Sequence, residues 1–150
     1  MRLPVLIVGS LFFLLVSLSG RRSGASVADS TPESIWLNSP FTRQRVEGTK
    51  ALRAGEYRRA VSEFSSGAIA AARARDHVSH GRFLANQAGA LMMLGENRRA
   101  IDALLAARQS ANAADDLLTL QGAEANLSSL YVLTGDYESA AEAAARGAAI

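Results

Sequence analysis

Gly55–Val61 reads GEYRRAV; forty residues on, Gly95–Ile101 reads GENRRAI, and forty further, Gly135–Ala141 reads GDYESAA. A phrase restated three times at equal spacing is a repeat, and each copy carries the same physical instruction. An apolar residue or two ends a helix, and a glycine at 55, 95 or 135 then takes the left-handed conformation without a Cβ penalty, so the chain reverses. An acid follows each glycine (Glu56, Glu96, Asp136) in the first turn of the next helix, where it complements the positive end of the dipole. Four residues past each acid stand Ala60, Ala100 and Ala140, whose methyl side chains let two antiparallel helices approach closely. Val61, Phe64, Ile101, Leu104 and Leu105 give the second helix of a pair its apolar face at helical spacing. Each row is therefore a helical hairpin. A single hairpin cannot bury its own apolar faces, and stacking three of them makes a continuous core. The expected class is all-α, with hairpins at about 41–80, 81–120 and 121–150.

These residues resemble the tetratricopeptide repeat. In the third row Asn126-Leu127-Ser128, Tyr131, Gly135, Tyr137 and Ala140 fall where that family places Asn-Leu-Gly, Tyr, Gly, Tyr and Ala. The second row offers Asn86, Ala88, Leu91, Gly95 and Ala100, and the first Gly48, Gly55, Tyr57, Ala60, Phe64 and Gly67. The period of 40 is longer than the family's usual 34 and the closing proline is missing, as in a longer-helix variety. The extra residues fall around Asp76-His77-Val78-Ser79 and Asn112-Ala113-Ala114-Asp115, where Asp, Asn and Ser also cap helices well. The resemblance implies a right-handed superhelix whose concave groove holds a peptide or protein segment. It implies groove-facing residues at Arg45, Thr49, Leu52, Arg53, Ala85, Gly89, Met92, Met93, Ser129, Val132 and Leu133. The mix is apolar, with methionines that adapt to varied partners. The carboxylate clamp of one family subclass would want basic residues at Arg45, Gly122 and Asn126 and asparagines at Thr49 and Asn86; two of those five positions match.

The ends of the chain read differently. Residues 1–28, MRLPVLIVGSLFFLLVSLSGRRSGASVA, place a short basic start and an apolar run from Leu3 to Leu18 before small residues, the layout of a secretory signal peptide. Ser17-Leu18-Ser19, Ser23-Gly24-Ala25 and Ser26-Val27-Ala28 all fit a cleavage site. The competing reading is a membrane anchor over residues 3–18, supported by Arg21-Arg22 behind the apolar run but shorter than the roughly 20 residues a spanning helix needs. Export to a periplasmic or extracellular location is the expectation. Residues 29–40, DSTPESIWLNSP, read as a linker in which Thr31-Pro32-Glu33 can start one helical turn. Ser39-Pro40 is the better helix start, and the lone Trp36 is expected to cover the apolar end of the first repeat. The third row stops at Ile150, seven residues short of the first row's register. Ala143, Ala144, Ala148 and Ile150 are therefore expected on an open end, completed by further chain or by a partner.

Charge and chemistry exclude more than they select. The net charge of +2 divides into +3 on residues 1–28, which hold Arg2, Arg21 and Arg22, and −1 on the rest. Residues 41–100 carry 11 basic and 5 acidic side chains, residues 101–150 carry 2 and 7. This bipolar pattern reads as a solvated surface, since no aromatic residues interleave with the arginines as a nucleic-acid platform would require. Arg58-Arg59 and Arg98-Arg99 occupy one repeat position and read as a surface stripe. With no cysteine, thiolate chemistry is excluded. His77 and His80 sit at an expected turn and lack the further ligands of a zinc site. Asp115-Asp116 reads as helix capping. The Asn126-Leu127-Ser128 sequon is accounted for by the repeat motif. No catalytic motif and no cofactor site is apparent. The expectation is a non-enzymatic, exported protein-binding scaffold. The alternative is the recognition arm of a larger bacterial enzyme, since similar long-period repeats precede caspase-like (CHAT) peptidase domains.

Overall fold

The computed structural model describes residues 31–150; the leader and the first residues of the 29–40 segment lie outside the described residues. Among the described residues the fold is all-α. Seven helices follow in order: α1 Pro32–Leu37, α2 Thr42–Arg53, α3 Tyr57–Arg73, α4 His77–Met93, α5 Asn97–Ala113, α6 Leu117–Thr134 and α7 Tyr137–Ala148. From α2 to α7 each helix packs against the next in sequence, so α2–α3, α4–α5 and α6–α7 are helical hairpins. Two further contacts leave this sequence order, α1 on α4 and α4 on α6.

The turns repeat at half the sequence period. Gly55, Gly95 and Gly135 have φ of 74°, 73° and 82°, and between them Arg75 and Asp115 take the same left-handed conformation at 57° and 51°. All five close in the same way. The amide after the left-handed residue returns to a carbonyl five back: Glu56 to Ala51, Asp76 to Ala71, Glu96 to Leu91, Asp116 to Ala111 and Asp136 to Tyr131, at 2.9–3.0 Å. The left-handed residue's own amide reaches the carbonyl three back. That pairing satisfies carbonyls a helix end would otherwise leave open. Every one of these turns ends on an acid at the next N-cap. The short aspartates reach the amide three residues on, with Asp76 accepting from Ser79 at 2.9 Å, Asp116 from Thr119 at 3.4 Å and Asp136 from Ser139 at 3.1 Å. Glu56 and Glu96 make no such bond and pair instead with Arg59 and Arg99. His77 and His80 consequently lie in the first turn of α4, on the helix and not in the loop.

The segment expected to be a linker is part of the fold. Thr31 caps α1, accepting from the Ser34 amide at 3.3 Å, and Pro32 enters at the first helical position. Ser39-Pro40 does not open the next helix; α2 begins at Thr42. The Ser39 hydroxyl accepts from the Phe41 amide at 3.2 Å and from the Ser79 hydroxyl at 3.1 Å, so equivalent serines of adjacent repeats are bonded. Trp36, 5% exposed, shares a core cluster with Ala51, Ala60 and Phe64 of the first hairpin and does not stop there. It also reaches the second, edge-on to Phe83 of α4 with ring centres 4.8 Å apart. The reason is space: α2 starts five residues later than α4 does in its own repeat, and α1 fills what the missing turn leaves.

The core changes character along the chain. Its first part gathers Trp36, Phe64, Phe83 and Val78 with alanines, and its second gathers Leu91, Leu104, Leu127 and Leu130 with alanines, the two meeting at Val61. Glycine makes the aromatic half possible. A Cβ on Gly67 would lie 2.5 Å from the Phe83 ring, and one on Gly48 would collide with Phe64. Ala60, Ala100 and Ala140 are all buried between paired helices. At the far end Ala144, Ala148 and Ile150 are exposed as expected, but Ala143 is fully buried against α6 residues in the second core.

Candidate functional site

The first helices of the three hairpins, α2, α4 and α6, carry the residues named from the resemblance, and near α2 and α4 the face they share is occupied. Trp36 of α1 lies under the Arg45 guanidinium (5.6 Å to the ring centre) and beside that of Arg82 (6.0 Å). A small cavity of about 20 Å³ between Trp36, Arg82, Ala85, Asn86 and Thr119 shows that α1 abuts α4 and the head of α6 together.

Arg82 fixes this arrangement. Its Nε donates to Asp116 Oδ2 at 2.7 Å, its Nη2 to Asp116 Oδ1 at 3.1 Å and its Nη1 to Glu33 Oε2 at 2.6 Å. Arg82 is 4% exposed and Asp116 2%, so the fork-to-fork pair is desolvated. Burial alone would raise the Asp116 carboxyl, but hydrogen bonds from Arg82 and Thr119 outweigh it and hold the group below the ordinary carboxylate range. Burial likewise opposes the charge on Arg82, and its two carboxylate partners reverse that, raising it above its ordinary value. Asp116 therefore does more than the capping read from the sequence. Arg82 carried no repeat signal, because Thr42 and Gly122 stand at its place in the other rows. A lone arginine in the apolar stretch GRFLANQAGALMM was the available clue. Two polar atoms near this tie, Glu33 Oε1 and Arg45 Nε, are buried with no hydrogen-bond partner.

The groove candidates divide into four groups. Arg45 and Ala85 hold Trp36. Leu52 and Met92 are half-buried against the first and second core, and Gly89 is buried, so these three serve packing first. Thr49 is half-buried and Arg53 exposed. The open part of the face lies toward α6, where Val132 and Leu133 are 53% and 60% exposed, with Met93 and Leu118 also exposed. Ser129 is exposed, its hydroxyl donating to the Ala125 carbonyl at 3.0 Å. Of the clamp positions, Asn86 lies at the Trp36 cavity and Asn126 is half-buried within α6.

The other candidates are structural in their contacts. His80 Nδ1 is 2.8 Å from the Ser110 hydroxyl on α5, and burial, with a smaller contribution from His77, lowers its pKa below the ordinary histidine value. Among the described residues no group of three or more His, Cys, Asp or Glu could hold a metal ion, and no helix is long and apolar enough to cross a membrane. A buried carboxylate that the repeat did not foreshadow, Glu124 on α6, lies 3.0 Å from Arg146 and 3.5 Å from Arg108. Comparison of the chain with protein-family profiles, curated proteins and solved structures gives no match.

Proposed function

We propose that the chain is a non-enzymatic, exported protein-interaction module of the tetratricopeptide type. In this reading its hairpins form a right-handed superhelix whose concave face, built by α2, α4 and α6, binds a peptide or protein segment. One observation carries the reading: this face already holds a short peptide segment, α1, by an aromatic anchor (Trp36) and an acid (Glu33) on a buried arginine. Val132 and Leu133 of α6, at positions the resemblance assigns to the groove, are exposed apolar side chains. Exposed apolar surface of that kind is what partner binding uses.

The test is selection of displayed peptides on the full chain, followed by Val132→Glu and Leu133→Glu. Loss of the selected peptide with an unchanged helical circular dichroism spectrum supports the reading. Retained binding in both variants moves the site off this face. Export is checked separately, by the intact mass of the protein recovered from its native source.

A further inference from the structure

One opening lies away from that face. It is an open cleft of about 510 Å³ along α3, with Gln87 of α4 and Arg99 of α5 on its other side. Arg58, Arg73 and Arg99 line it, and no acidic residue does. Arg99 is paired with Glu96, whereas Arg58 and Arg73 make no ion pair among the described residues. Their neighbours behave differently: Arg59, one position from Arg58, is neutralised by Glu47 and Glu56 at 2.9 Å each. The arginine stripe read from the sequence is thus split, Arg59 spent on the protein's own acids and Arg58 left facing the cleft.

Between the arginines the lining is neither bare nor aromatic. Ser62, Ser65 and Ser66 offer hydroxyls, and Val61 and the exposed Ile69 offer apolar contact. Arg58 and Arg73 stand 15 positions apart on one helix, which at 1.5 Å per residue is about 22 Å. Helices α3 and α5 run parallel because α4 reverses between them, so Arg99, in the first turn of α5, lies at the Arg58 end. An extended peptide rises about 3.3 Å per residue, so some seven residues span the cleft between the two basic ends.

We propose that this cleft binds an extended acidic segment of a protein partner, with carboxylates at both ends and small or aliphatic side chains between. Charge complementarity selects the acids, the serines satisfy peptide backbone groups, and Val61 and Ile69 favour an aliphatic middle. The absence of any aromatic residue from the lining disfavours a nucleic-acid strand, whose bases stack on such groups.

The probe is a fluorescein-labelled peptide of about eight residues, glutamates at each end and serine and leucine between, titrated onto the full chain by anisotropy at low salt. Arg58→Ala and Arg73→Ala are each expected to weaken binding about threefold, and the double variant about tenfold. Ile69→Glu should abolish it, and affinity should fall as salt is added. Arg98→Ala removes the same charge from an exposed position outside the cleft and should leave binding unchanged. Three results overturn the proposal: no binding at low salt, equal weakening by Arg98→Ala, or indifference to Ile69→Glu. A single-stranded oligonucleotide bound more tightly than the peptide, and weakened by the same arginine variants, also overturns it in favour of a nucleic-acid site.

Discussion

Two substitutions at equivalent turns should change stability in opposite directions. At Gly95, φ is +73° and a Cβ would meet nothing within 4 Å, so Gly95→Ala introduces no clash and its cost is conformational alone. The left-handed conformation costs an L-residue about 1–2 kcal/mol, and the stiffer unfolded chain returns about 0.4–1 kcal/mol. The net is a loss of about 1 kcal/mol, roughly 4–5 °C in Tm for a domain of this size. Arg75 occupies the corresponding place twenty residues earlier with φ 57° and makes no ion pair among the described residues. There the same terms change sign, and Arg75→Gly should stabilise by about 0.5–1 kcal/mol. Asp115→Gly should gain less, because aspartate visits this conformation more readily than arginine. Urea denaturation of the three single variants, with unchanged m-values, measures this directly. If Arg75→Gly lost stability as Gly95→Ala does, the two classes of turn would not be equivalent and the twenty-residue reading of the fold would be refuted.

Gly67→Ala should cost about 1–3 kcal/mol, because the new methyl must displace the fully buried Phe83 ring; a thermal melt unchanged from the parent would contradict that packing. Asp116→Asn should cost about 1–3 kcal/mol near neutrality, because Arg82 keeps Glu33 but loses its buried, doubly bonded carboxylate. The Asp116 pKa is depressed on folding, so its contribution is fully present above about 4 and disappears as pH falls through the lower folded value. The variant should therefore have a flatter acid limb in a plot of stability against pH. His80 acts at milder pH: its pKa is lowered on folding, so the unfolded chain takes up the proton first and stability declines as pH drops below about 6.5. His80→Gln should remove that decline, which denaturation at pH 7 and pH 5 would reveal. Glu124→Leu should be neutral or stabilising by about 1 kcal/mol, since Leu84 fills the same repeat position and the buried carboxylate carries one oxygen without a partner. A loss above about 2 kcal/mol would show that the Arg108–Glu124–Arg146 cluster holds the last hairpin together.

The three glycine turns and the alanines behind them were legible because both leave marks that recur at forty residues. Arg75 and Asp115 were not, because a non-glycine residue in the left-handed region has no distinguishing letter; only the acid after it, Asp76 or Asp116, repeats the pattern seen after each glycine. The 29–40 segment misled for a related reason. Its Pro, Ser and Asn content is that of a linker, and nothing local announces that Trp36 and Glu33 find partners in Phe83 and Arg82, nearly fifty residues on. The candidate face was readable only as positions on helices. That Leu52 and Met92 turn toward the core while Val132 and Leu133 stay open depends on how neighbouring helices seat, which spacing within one helix does not encode.

The Arg82 tie also sets the order in which the molecule comes apart. Where helices touch only their neighbours in sequence, a stack opens one helix at a time from whichever end is weaker. Glu33 and Asp116, both held by Arg82, connect α1 to the head of α6, so the leading end cannot peel away without uncovering a buried charge. The restraint on α7 is lighter: this helix packs mainly against α6, and its ion pair to the buried Glu124 runs through Arg146, a side chain 43% exposed. In native-state hydrogen exchange the amides of Tyr137–Ala148 should therefore exchange first, by opening of α7 alone. Those of α4, packed against four other helices and held by the tie, should exchange last, at the rate of complete unfolding.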